Sequence, residues 1–113
     1  MLNESDQYRL KRNVEKVSLR LVMEPDSHVP DTLTRIRVLP TVAVVGQKEK
    51  VQRSEAQSTV LDIYVKFLPT SGGQYKKLTK ISRLIKSLPG VKIVRVLTFN
   101  DKKVSHKGKP IVI

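Results

Sequence analysis

Apolar residues recur along this chain at two spacings, and the spacing switches several times. In VEKVSLRLVME, residues 14–24, Val17, Leu19, Leu21 and Met23 alternate with Ser18, Arg20 and Val22. Alternation over this length predicts a half-buried strand. STVLDIYVKF, residues 58–67, repeats the pattern, with Leu61, Ile63, Val65 and Phe67 on one face and Val60, Asp62, Tyr64 and Lys66 on the other. Between these runs the period becomes helical. In PDTLTRIRV, residues 30–38, Leu33 and Ile36 stand three apart, with Asp31 near the start and Arg35 and Arg37 toward the end. That polarity suits the helix dipole. A longer helix is predicted from Gln74 to Ser87, where Leu78, Ile81, Ile85 and Leu88 form a stripe widened by Leu84 and opposed by Lys76, Lys80 and Arg83. TVAVVGQ and VKIVRVLTF are rich in β-branched residues and predict two further strands. PDSHVPD, Leu39-Pro40, LPTSGGQ and Pro89-Gly90 mark the joints. The polar QKEKVQRSEAQ is expected to be a hairpin connection, FNDKKV a turn, and the tail SHKGKPIVI an extra edge strand.

The elements therefore follow in the order β-α-β-β-α-β. The halves also echo each other in their letters. VLPTVAVVGQ, residues 38–47, returns forty-nine positions later as SLPGVKIVRV, residues 87–96. Leu39-Pro40 aligns with Leu88-Pro89, Val42 with Val91, Val44 with Ile93 and Val45 with Val94. A β-α-β unit used twice explains both observations. In order and junctions the chain resembles the ferredoxin-like superfold over residues 14–99. The resemblance implies an α+β sandwich, a four-stranded antiparallel sheet in the order 4-1-3-2 with two helices on one face. Residues 1–13 are expected to be an N-terminal arm and 100–113 a basic C-terminal tail. A fold of this kind implies no particular function.

Charge adds a second asymmetry. The chain of 113 residues carries +12, and residues 71–113 hold eleven Lys and Arg against Asp101 alone, so +10 sits in the last 43 residues. Such a field favours encounters with polyanions. Candidate contacts are Lys76, Lys77, Lys80, Arg83 and Lys86 on the second helix and Lys107 and Lys109 in the tail. The uncovered sheet face is expected to present Arg20, Tyr64, Lys66 and Arg95. No apolar run approaches the ~20 residues of a membrane span, and the N-terminus has no apolar signal region, so a soluble protein without a secretory signal is expected.

Catalytic chemistry finds little footing. There is no Cys, hence no thiolate nucleophile and no disulfide framework. His28 and His106 lack ligand-spaced partners, so no metal and no cofactor are expected. Gly72-Gly73 lacks the phosphate-loop pattern, and Asp31, Asp62 and Asp101 fall on different elements. The arginine-bearing glycine-rich first loop of acylphosphatases is missing from MEPDSHVPD. RNA-recognition modules share the element order and stack bases on exposed aromatics. Their third-strand signature is matched here only by Tyr64, Val65 and Phe67, with Asp62 where the first aromatic belongs. The helix–LPGV–strand junction is similar to that of ACT-type modules, which implies a small-molecule-binding regulatory dimer.

DTLTRIRVLPTVAVV, VLDIYVKFLP and LIKSLPGVKIVRV together resemble small uncharacterised proteins of tailed bacteriophages. That resemblance implies a virion structural or accessory subunit, located in the virion or the host cytoplasm. The leading expectation is thus a non-catalytic interaction protein that contacts other chains through its termini and sheet edges, in an oligomer or assembly. The alternative is a basic nucleic-acid-binding module, and the ACT-like dimer is the third.

Overall fold

A computed structural model describes residues 14–47, 52–53, 58–69 and 71–113, with 52–53 described by their backbone. The expected arm, 1–13, and most of the polar connection lie outside the described residues. The elements are β1 (Glu15–Met23), α1 (Val29–Arg37), β2 (Val42–Gln47), β3 (Gln52–Arg53), β4 (Thr59–Phe67), α2 (Gln74–Lys86), β5 (Val91–Phe99) and β6 (Lys102–Lys103). The result is an α+β fold with an open antiparallel sheet and two helices, compatible with the ferredoxin-like expectation at that level.

The expectation of four strands needs correction. The sheet runs β2-β4-β1-β5-β6, and β3 pairs with β4 as a sixth strand. Both additions lengthen an edge. β3 continues the line of β2 along β4, opposite Val60 and Thr59. β6 pairs with the end of β5 through Thr98↔Lys103 and Phe99↔Lys102. Asn100 and Asp101 join β5 to β6 at positive φ, the hand that matches the twist of a two-residue hairpin. Period reasoning missed both strands because two residues carry no measurable alternation.

Alternation holds along β1 and β4. Val17, Leu19, Leu21 and Met23 meet Leu61, Ile63, Val65 and Phe67 in one core with Ile36 of α1 and Leu78, Ile81 and Ile85 of α2. Both helices thus cover the same sheet face. Each fully buried aliphatic side chain contributes about 1.5–3 kcal/mol, so this layer is the main source of stability.

The halves interleave: β2 pairs with β4 and β5 with β1. The repeated letters build the same joint twice. After α1, Leu39 N–H donates to Ile36 O and Val42 N–H to Leu39 O; after α2, Leu88 N–H donates to Ile85 O and Val91 N–H to Leu88 O. Thr41 and Gly90 hold equivalent left-handed positions, at φ 66° and 84°. Strict alternation then fails in both strands. A register shift follows Val42 in β2, and another separates Val91 and Ile93 of β5 where they pair with β1. Ala43 and Lys92 are the extra residues. A bulge turns the next side chains over, so Val45 and Val94 enter the core while Val44 and Ile93 face out.

Candidate anion-binding face

Three of the expected contacts are brought together on α2. Lys76, Lys80 and Arg83 recur at the spacing that keeps side chains on one helix face, and they line a single shallow groove with Thr79, Leu84 and Ser87. The hydroxyls beside them are turned to the helix: Thr79 donates to Lys76 O at 3.1 Å and Ser87 to Arg83 O at 2.9 Å. The three cations are exposed, and among the described residues none has an ion-pair partner. Lys86 is also exposed, in the last turn. Lys77 is drawn away from the row. Its ammonium lies 3.2 and 3.3 Å from the carboxylate oxygens of the buried Glu15. Lys77 therefore ties α2 to the start of β1, a pairing between distant elements that helical spacing does not reveal.

Lys107 and Lys109 line a separate cleft with Tyr75 and His106. His106 and Lys109 pair across a tight turn, and the His106 ring stacks on Tyr75 with centroids 3.7 Å apart. Tyr75 is in the first turn of α2, so the stack sets the two tail lysines beside the positive end of that helix. Beyond the turn the tail returns to β5. Ile113 N–H donates to Val94 O at 2.8 Å, Val96 N–H to Ile111 O at 2.9 Å, and Ile111 is buried.

The residues of the open sheet face are placed separately from this row. Arg20 makes two hydrogen bonds to Asp62, at 2.8 and 3.0 Å. Arg95 lies opposite Arg20 in the β1–β5 register and bridges to Val112. The Tyr64 ring lies over Gly46, so close that a Cβ there would overlap it. Lys16 and Lys66 stand 5.7 and 6.0 Å from the ring centroid. Tyr64 is thus committed to covering a glycine in the neighbouring strand, and the signal was available in the pairing of a strand glycine with an aromatic. Among the described residues no cluster of His, Asp and Glu is arranged to hold a metal, and no helix is long and apolar enough to cross a membrane. Comparison with protein-family models and with curated proteins gives no match.

Proposed function

We propose that this chain is a non-catalytic interaction protein that engages an anionic macromolecule through the outer face of α2. The observation that carries the reading is the groove in which Lys76, Lys80 and Arg83 meet without an ion-pair partner among the described residues. Like charges held this close raise the local potential and cost self-repulsion unless a partner neutralises them. Lys107 and Lys109 extend the field. Nucleic acid and acidic protein surfaces are the two partner classes. The test is fluorescence anisotropy with labelled duplex and single-stranded oligonucleotides and with polyglutamate, at low and physiological salt. Binding should weaken steeply with salt, by roughly one logarithmic slope unit per phosphate neutralised. The triple variant Lys76→Glu, Lys80→Glu, Arg83→Glu should abolish it; retained affinity would remove α2 from the account.

A second reading makes the chain a ferredoxin-like phage virion or accessory subunit that pairs with neighbours along a sheet edge. The strand order β2-β4-β1-β5 supports the ferredoxin-like assignment, being 4-1-3-2 read from the other side. The β2 edge supports the pairing. VAVVGQ carries no charge, Val44 is exposed, and among the described residues no strand lies beyond it. An edge without charged guards invites strand addition. Mass measured by light scattering should rise with concentration and revert to monomer in Val44→Lys; a wild-type monomer at every concentration would contradict self-pairing at this edge.

A further inference from the structure

The internal repeat extends past the junctions into the helices. The same forty-nine positions carry His28, Asp31, Thr32 and Arg35 onto Lys77, Lys80, Ile81 and Leu84, and Pro40-Thr41 onto Pro89-Gly90. These residue sets line two clefts. One of about 310 Å³ lies between α1 and Pro89-Gly90, the other of about 200 Å³ between α2 and Pro40-Thr41. The clefts are counterparts generated by the repeat, and their chemistry has diverged. The α1 cleft is polar, with Glu24, Asp26 and Asp31 beside Arg35. The α2 cleft is walled by Pro40, Phe67, Ile81 and Leu84, with Lys77 and Lys80 at its rim.

Thr41 is the independent observation. It sits at φ 66°, a region that β-branched residues avoid. Its counterpart Gly90 makes the same turn without that strain. A threonine keeps a side chain on the wall of the α2 cleft, and strain kept at one of two equivalent positions marks that position.

We propose that the α2 cleft receives one apolar side chain of an acidic protein segment whose carboxylates lie along Lys76, Lys80 and Arg83. The inference rests on the α2 reading above and names its partner. The volume is below the ~300 Å³ at which pockets for whole small molecules begin, so the occupant is a single group projecting from a longer chain. The Phe67 ring is almost wholly covered, at 3% exposure, and leaves no aromatic face on which a nucleobase would stack. An apolar anchor ringed by charge is the arrangement that concentrates binding energy at protein interfaces. A second copy of this chain is a poor occupant, since each copy carries +12.

The probe is an acidic peptide of Asp and Glu with one central Phe, compared with its Ala counterpart by calorimetry and by methyl NMR of the full chain. The Phe peptide should bind about tenfold tighter, in line with a group filling an apolar pocket, and shift the methyl signals of Thr41, Ile81 and Leu84. Leu84→Arg installs the residue that the α1 cleft carries at the equivalent place. It should erase the Phe preference and leave the Ala peptide bound at least as well. Thr41→Gly should shrink the preference with the turn intact, and decides the matter if Leu84→Arg does not fold. Equal binding of the two peptides would overturn the anchor and leave the α2 reading standing. A short oligothymidine that moves the same methyl signals and displaces the Phe peptide would assign the cleft to a base and overturn the proposal. No binding of either peptide or the oligonucleotide at low salt would bring down both.

Discussion

The α1–β2 and α2–β5 joints use the same hydrogen bonds, the same left-handed residue position and the same bulge, yet one ends in Thr41 and the other in Gly90. The difference separates what the backbone requires from what the site requires. A helix must stop at Leu-Pro and re-enter the sheet, and both joints meet that need. Glycine is enforced only at the second, where a Cβ would come 2.7 Å from Ser27 Oγ. The first has room for a side chain, and the chain keeps one at the cost of strain. The helices diverge in the same way: α1 carries Asp31 and Arg35 where α2 carries Lys80 and Leu84.

The two helices enter one shared core. Ile36 and Ile85 are equivalent across the repeat, and both are fully buried. Replacing either with Ala should cost about 3–4 kcal/mol, read as matched losses in denaturant unfolding. A large loss at only one would mean that the two helices do not contribute alike. Gly90→Thr makes the second joint resemble the first. Left-handed strain and the Ser27 contact together should cost about 2 kcal/mol, and a neutral effect would place the joint in another conformation.

Smaller effects sharpen the difference. Ser82 is buried with no hydrogen-bond partner for Oγ among the described residues, at the position Leu33 occupies in α1. Ser82→Ala should stabilise by about 1 kcal/mol, because the orphaned hydroxyl is removed, seen as a higher urea midpoint at constant slope. Thr41→Gly relieves about 1–2 kcal/mol of strain and adds about 0.5–1 kcal/mol of chain entropy cost. Its net gain in stability should therefore lie between about 0 and 1.5 kcal/mol, with the peptide preference of the cleft reduced.

Much of this architecture was legible in the letters. Alternation marked β1 and β4 because each runs nine residues with one face inside. The echo of Leu39-Pro40 in Leu88-Pro89 marked the two joints. The period failed in β2 and β5, where a bulge residue, Ala43 or Lys92, reverses the faces, and in β3 and β6, which are too short to show one. Lys76, Lys80 and Arg83 were legible as a row because helical spacing alone places them. Lys77 is a candidate contact beside that row by sequence, but its partner Glu15 lies in another element, and spacing says nothing of that. The α2 cleft was hidden for a related reason: Pro40 and Thr41 on its wall come from the opposite half. Carrying the forty-nine-residue offset a further ten positions upstream would have pointed to Ile81 and Leu84.

The proposed binding is assigned to α2 and not to net charge. It is tested by comparing Lys80→Glu, Arg83→Glu with Arg35→Glu, Arg37→Glu, since both doubles lower the net charge by the same amount. The measurement is anisotropy of labelled polyglutamate and of a labelled duplex oligonucleotide at physiological salt. The account predicts that the α2 double loses tenfold or more in affinity for the true partner class while the α1 double stays within about twofold, given that each desolvated, charge-assisted contact contributes about 1.5–3 kcal/mol. Equal losses in the two doubles would show that the chain is bound as a generic cation and would contradict the claim.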